Sequence, residues 1–180
     1  MPALASDEIV TVVDGENRPV AELPRHRVRS ENLAHRATYI FVFDRRGRVL
    51  VQRRTAIKDV CPGWYDVAAG GGVAAGESYE ECAEREAAEE LGIRGTALEP
   101  KFDFYHEDER VRCFGRVFTC RHEGPFTLQP EEVESVAFHT VDEIRAGRIL
   151  PLTPDTLVAL ERLLALRPAG GNPENAPRID

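Results

Sequence analysis

The chain has 180 residues and a mass of 20.1 kDa, with 42% hydrophobic and 30% charged residues, which is enough for one substantial core and too little for two. Its 31 acidic against 23 basic residues give a formal charge of −8, which argues against nucleic acid or an anionic membrane as partner. No apolar run approaches the roughly 18 residues of a membrane span, and Met1 to Ser6 lacks the basic start and apolar stretch of a signal peptide.

A soluble, cytoplasmic domain over residues 7–167 is therefore expected, between tails at 1–6 and 168–180. Cys61, Cys82, Cys113 and Cys120 form no Cys-x-x-Cys pair, so reduced thiols are expected. A zinc site that adds His35 or His106 lacks the ligand spacing. Charge is uneven: the first 60 residues balance at +3 and the remainder at −11, and only Lys58 and Lys101 are lysines.

In chain order, Ile9 to Val13 and residues 20–23, broken at Gly15-Glu16-Asn17, read as a hairpin, followed by a polar, helix-compatible stretch to Asn32. Residues 38–44 and 48–52 flank Arg45-Arg46-Gly47 and form a central hairpin. Strands are also expected at 65–68, 102–106, 111–120 and 133–138, with a turn at Glu123-Gly124-Pro125. Ser78 with Glu81 makes a capping box for a helix running to Leu91 and stopped by Gly92; Thr140 with Glu143 repeats the device. Thr153-Pro154 opens a last helix whose Leu157, Leu160, Leu163 and Leu164 face the core. Mixed strands and helices make an α/β protein.

The helix after Ser78 is poorly suited to stand alone. From Glu77 to Glu90 it sets seven glutamates against one Arg85, and Glu86, Glu89 and Glu90 fall at i, i+3 and i+4, where each like-charge contact costs about 0.2–0.5 kcal/mol. A solvated acidic face is one reading. A partial oxygen shell for Mg²⁺ or Mn²⁺ is the other, with the remaining ligands from water and substrate phosphate. Gly70-Gly71-Gly72, after a strand and before this helix, favours the second, because glycines let backbone approach a ligand closely.

Gly71, five residues, Glu77, seven residues and then Arg85-Glu86-Ala87-Ala88-Glu89-Glu90-Leu91-Gly92-Ile93 match every fixed position of the Nudix box, and the chain resembles the Nudix hydrolase family over roughly residues 8–167. One slot, Ala87, usually holds a larger aliphatic side chain. The resemblance implies an α/β/α sandwich with a mixed sheet and a loop-helix site, and Mg²⁺-dependent (or Mn²⁺-dependent) hydrolysis of a small-molecule diphosphate, such as a nucleoside diphosphate derivative. It implies that Glu86, Glu89 and Glu90 hold the metal, that the Gly71 carbonyl adds a ligand, that Arg85 orients the glutamates, that Glu77 braces the loop and that Gly92 ends the helix. The base that takes the proton from water is Glu89 or one of Glu131, Glu132 and Glu134, with Glu89 preferred. A homodimer is an assembly open to such proteins.

Residues 35–43, Gln52-Arg53-Arg54, Lys58 and Pro62-Gly63-Trp64 look like the branch that contains isopentenyl diphosphate isomerase. Arg54 and Lys58 match diphosphate-binding positions there, and a guanidinium fork plus an ammonium suits that anion. The isomerase cysteine falls on Gly70 and one of its metal histidines on Gly72, while His35 is retained. A hydrolase is therefore expected, with the isomerase or a nucleotide-binding sensor as alternatives. Trp64, Tyr65, Phe104 and Tyr105 are candidates for a substrate pocket or for the core.

Overall fold

The computed structural model describes residues 8–166. The two tails expected from the sequence, 1–6 and 168–180, lie outside the described residues. Eight strands and four helices follow in the order β1 (Ile9–Val13), β2 (Pro19–Pro24), α1 (Arg25–Ser30), β3 (His35–Phe43), β4 (Val49–Arg54), β5 (Tyr65–Asp66), α2 (Tyr79–Leu91), β6 (Glu99–Glu107), β7 (Arg112–Arg121), β8 (Val133–His139), α3 (Val141–Arg145) and α4 (Pro154–Ala165).

β3 is the hub. It runs parallel to β7 over nine residue pairs, from His35 opposite Cys113 to Phe43 opposite Arg121, and β7 continues antiparallel to β6. On its other side β3 touches β1 at Val12 and His35, which adds the β1–β2 hairpin. Through the turn at Phe43 and Val49 it leads to β4, which carries β8 and the short β5.

β3 is buried on both faces, as its unbroken apolar run requires. Ala37, Tyr39, Phe41 and Phe43 pack with Ile144 of α3 and Ala159, Leu160 and Leu163 of α4. Ile40 and Val42 pack with Ala83, Ala87 and Leu91 of α2. The result is the α/β/α arrangement expected from the sequence. Leu157 and Leu164 join the α4 core as partly buried neighbours.

Several element boundaries differ from the sequence expectation by one to three residues, among them the start of β3 at His35, and two have a local cause. The strand expected over 65–68 ends at Asp66, because the Asp66 carboxylate itself accepts the Ala68 N–H at 3.2 Å and turns the chain. β6 begins at Glu99 although Pro100 follows; it pairs only with β7, and an edge strand tolerates a missing N–H. The four cysteines are free and buried. Cys113 accompanies Tyr39 at 3.1 Å, Cys82 lies 3.4 Å from the Thr38 hydroxyl, and Cys120 sits in the α2-side core. No helix among the described residues is long and apolar enough to cross a membrane.

Candidate active site

α2 starts where the sequence places it. The Ser78 side chain accepts the Glu81 N–H while Glu81 accepts the Ser78 N–H, which satisfies two otherwise orphaned donors. Gly92 closes it in the left-handed conformation at φ 71°. Thr127 N–H and Gln129 N–H then donate to the carbonyls of Leu91 and Glu90, at 3.0 and 3.2 Å. The segment leading to Glu131 and Glu132 is thus tied to the end of the helix that carries the acidic cluster.

Glu86 and Glu90 do not stand on an open face, so the solvated acidic face, the reading that the glycine run already disfavoured, does not describe this pair. Cys82, Glu86 and Glu90 recur at one-turn spacing along the buried side; Glu86 is 8% and Glu90 3% exposed, while Glu89 is exposed. The repulsion is offset by Arg85 within the helix and by the Gly70 N–H and Arg116 from outside it. The Arg85 guanidinium donates to both oxygens of Glu77 (2.8 and 3.0 Å), to Glu86 (2.8 Å) and to Glu89 (3.2 Å), and these hydrogen bonds raise its affinity for its proton. Glu90 accepts the Gly70 N–H at 3.1 Å, and Glu80 pairs with Arg116 at 2.9 Å. Glu77 also accepts the Ala74 N–H at 2.9 Å, so it links the glycine loop to Arg85.

The three glycines do different things. A Cβ on Gly70 would lie 2.9 Å from the Thr38 carbonyl carbon, with φ at +141°; a Cβ on Gly71 would lie 2.8 Å from Glu86 Cδ; one on Gly72 would meet nothing closer than 3.8 Å. The Gly71 carbonyl expected to serve a metal accepts the Thr38 N–H at 3.0 Å, so one of its lone pairs belongs to the sheet. What brings Gly71 to the site is its missing side chain.

Burial, and next the charge of Glu90, push the Glu86 carboxyl up to about 7. Two neighbouring buried carboxylates with a third at the rim are a hard-oxygen donor set suited to Mg²⁺ or Mn²⁺. As the side chains stand, Glu89 is turned to Arg85, and among the described residues no three His, Cys, Asp or Glu side chains already converge on one point.

Arg54 and Lys58 are both inside. Arg54 donates to Asp66 (3.3 Å) and to the Val60 carbonyl (2.8 Å). Lys58, its side chain 7% exposed, is ion-paired with Glu132, and burial, reinforced by Arg54, lowers its pKa to about 8. Of the loop glutamates, only Glu132 is held inward; Glu134 pairs with Arg53 at 3.3 Å on the surface, and Glu131 is exposed.

Sequence reasoning missed the contribution of the N-terminal segment, from Glu8 just before β1 and from Arg25 and Arg29 of α1. Glu8 lies 3.6 Å from Arg85 and 3.7 Å from Arg25, while Arg25 and Arg29 approach Asp59 only to 3.9 and 4.0 Å. The i,i+4 spacing of Arg25 and Arg29 was the available signal. A polar cleft of about 80 Å³ opens beside Gly70–Gly72 and is lined by Arg29, His35, Arg54 and Asp66 among others. The aromatics considered for a pocket do not line it. Tyr65 and Phe104 pack on the α4-side core, Tyr105 is exposed on the edge strand, and Trp64 lies under Arg110 at 5.4 Å.

The NUDIX domain family model matches residues 33–163, which contain this loop-helix. The chain belongs to the Nudix hydrolase family. It is 48% identical to an uncharacterised Nudix hydrolase of Yersinia pestis over 85% of this chain and 84% of that one. It is also 48% identical to the uncharacterised Nudix hydrolase YfcD of Escherichia coli, over 87% of each. Among solved structures, DR0079 from Deinococcus radiodurans superposes with a TM-score of 0.75 at 24% identity, covering 86% of this chain and 98% of that one. The NUDIX domain of Shewanella oneidensis NrtR, solved with ADP ribose, gives 0.60 at 18% identity over 72% of this chain and 85% of that one. These two likenesses concern the fold. The protein is a hydrolase of the Nudix type, and membership implies hydrolysis of a pyrophosphate linkage. Residues 8–32, which supply Glu8, Arg25 and Arg29 to the site, precede the matched segment.

Proposed function

We propose that this Nudix hydrolase cleaves the diphosphate linkage of a small organic or nucleoside diphosphate, with Mg²⁺ or Mn²⁺, by attack of water on phosphorus. The observation that carries the reading is the burial of Glu86 and Glu90 side by side against the glycine loop, where burial and mutual charge raise the Glu86 pKa. Glu86, Glu89 and Glu90 are the groups that would hold the metal. When bound, a divalent cation supplies positive charge to the diphosphate oxygens and acidifies a water molecule.

The chain's own residues do the rest. Arg85, fixed by its fork on Glu77, keeps Glu86 and Glu89 oriented. Arg54 and Lys58 supply a fork and an ammonium for the diphosphate. Glu89, exposed at the rim and held by one 3.2 Å bond, takes the proton from the attacking water. Glu132 is the competing base, since it becomes available when Lys58 turns from it to a phosphate oxygen.

The isomerase alternative meets an obstacle at Gly70, where a side chain would run into the Thr38 carbonyl. The sensor alternative is opposed by the complete set of box glutamates.

The experiment is ³¹P NMR of a panel of diphosphates with Mg²⁺, comparing wild type, Glu89→Gln and Glu132→Gln. The reading expects turnover that requires metal and falls by roughly 10²-fold or more in the variant that lacks the base. Tight binding without turnover on every compound would support the sensor, and no uptake of Mg²⁺ or Mn²⁺ by calorimetry, with or without pyrophosphate, would end the proposal.

A further inference from the structure

Gln52 is a polar residue in an apolar place. It follows Val49, Leu50 and Val51 on β4 and shares the face of Leu50, which packs in the α2-side core. Opposite it on β8 stands Val136, a neighbour of the same cluster. Gln52 is 4% exposed. Its Nε2 donates to the Ala68 carbonyl at 3.0 Å, and because a carbonyl only accepts, this bond fixes which end of the amide is oxygen. Oε1 is buried and has no hydrogen-bond partner among the described residues. An open buried acceptor costs free energy that an apolar side chain of the same length would not.

Two consecutive peptide planes place this amide beside the acidic pair. The Ala69 N–H donates to the Ile40 carbonyl at 3.0 Å, and the Ala69 carbonyl accepts the Ile40 N–H at 2.8 Å. In a trans peptide the C=O and N–H point in opposite directions, so the Ala68 carbonyl and the Gly70 N–H both project away from β3. The first accepts from Gln52 Nε2, and the second donates to Glu90 Oε2 at 3.1 Å. The amide and the Glu90 carboxylate are thus neighbours on one side of the glycine loop, and Gln52 is as deeply buried as Glu90, which is 3% exposed.

Few donors can serve Oε1 there. Ionised Glu86 and Glu90 only accept, and Lys58, whose ammonium feels the Glu90 charge, is paired with Glu132. An isolated water would face the acceptors Glu90 and Gln52 with its own lone pairs unused. A water on Mg²⁺ or Mn²⁺ gives its lone pair to the cation and directs its hydrogens outward, and such cations keep several waters.

We infer that Gln52 is a positioning residue of the cation site. Oε1 accepts a hydrogen bond from a water in the hydration shell of the divalent cation at Glu86 and Glu90, and the Ala68 carbonyl holds the amide in that orientation. The assignment rests on the proposed metal-dependent reading and adds to it a residue of β4, outside the loop-helix.

Mn²⁺ binding to the metal-free protein, read by calorimetry and by the EPR signal of free Mn²⁺, tests this without substrate. Gln52→Met keeps the length and removes both amide atoms, whereas Gln52→Glu keeps an acceptor and gives up the donor to Ala68. Gln52→Met is expected to bind Mn²⁺ at least about tenfold more weakly, as for other partners of metal ligands, and Gln52→Glu at least as tightly as wild type. A glutamine that serves only the fold would instead lower the metal-free melting temperature in both variants and leave Mn²⁺ affinity unchanged. Wild-type affinity in Gln52→Met, or affinity in Gln52→Glu as weak as in Gln52→Met, would overturn the assignment and leave the hydrolase reading standing. If Gln52→Met does not fold, Gln52→Glu decides alone: its Mg²⁺-induced rise in melting temperature must equal or exceed that of wild type, and a smaller rise overturns the assignment. No Mn²⁺ uptake by wild type would end both readings. The expected pattern of affinities without turnover on any diphosphate would support the role of Gln52 and sink the hydrolase reading alone.

Discussion

Alanine substitution along Gly70-Gly71-Gly72 is expected to give three different outcomes. At Gly71 the new Cβ would sit 2.8 Å from Glu86 Cδ, and since carbon atoms rest at about 3.5–4.0 Å the carboxylate must move by roughly 0.7 Å or more. Glu86 is pinned by the 2.8 Å bond from Arg85. The move therefore stretches a charge-assisted hydrogen bond or forces an off-rotamer side chain, at about 1–2 kcal/mol. For a chain of this length that is a fall of a few degrees in melting temperature, at roughly 2–4 °C per kcal/mol. The catalytic loss is larger, because a misplacement of about 1 Å costs on the order of 10²-fold in rate.

At Gly72 the Cβ meets only ordinary contacts, at 3.8 and 4.0 Å, so stability and kcat should match wild type. At Gly70 the clash is with backbone and φ is +141°, which has no flexible side chain to yield. More than about 3 kcal/mol and a fall on the order of 10 °C are expected there. Thermal melts beside Mg²⁺-dependent phosphate release from the best panel substrate read all three. A Gly71→Ala protein with wild-type kcat, or a Gly72→Ala protein as damaged as Gly71→Ala, would refute the close-approach argument.

Glu90→Gln should lower kcat by orders of magnitude while shifting the melting temperature by only a few degrees, because the amide oxygen still accepts the Gly70 N–H; a fully folded variant with unchanged kcat would remove Glu90 from the site. Mg²⁺ at millimolar concentration should raise the melting temperature of wild type and not of the Glu86→Gln/Glu90→Gln double variant, because the cation binds only the assembled carboxylates, and an equal shift in both would place the metal elsewhere. For His35, whose pKa falls from 6.5 to about 4 on burial, the unfolded chain binds more protons between those values. Stability is thus fully present above pH 6.5 and declines by up to about 3 kcal/mol as the pH falls to 4. Urea denaturation at pH 7 and pH 4.5 should show this loss in wild type and a smaller one in His35→Gln, and identical slopes would contradict the neutral buried ring.

Local chemistry was legible in the sequence. Ser78 and Glu81, Thr140 and Glu143, and Gly92 each act on backbone groups within four residues, and the structure uses them as capping boxes and a left-handed stop. The box spacing likewise identified Glu77 and Arg85 before any contact was known, since the residues lie eight apart on one loop-helix. The central strand within β3 followed from its apolar run, although the parallel partner β7, about 78 positions away, did not.

What only tertiary structure decided is which side chains share one low-dielectric space. A helical wheel gives the spacing of Glu86 and Glu90 but not that the glycine loop covers them, and it is burial, not spacing, that removes the solvated-face alternative for this pair. Arg54 and Lys58 were named for the anion, yet their partners Asp66 and Glu132 lie 12 and 74 residues away, and only the fold brings such charges within ion-pair range. Arg29 meets His35 in one cleft because the hairpin of β1 and β2 is stitched across the loop through Val10, Ala74 and the Ile9 carbonyl. Burial and long-range proximity govern electrostatic energies, and neither is a property of residues near one another in the chain.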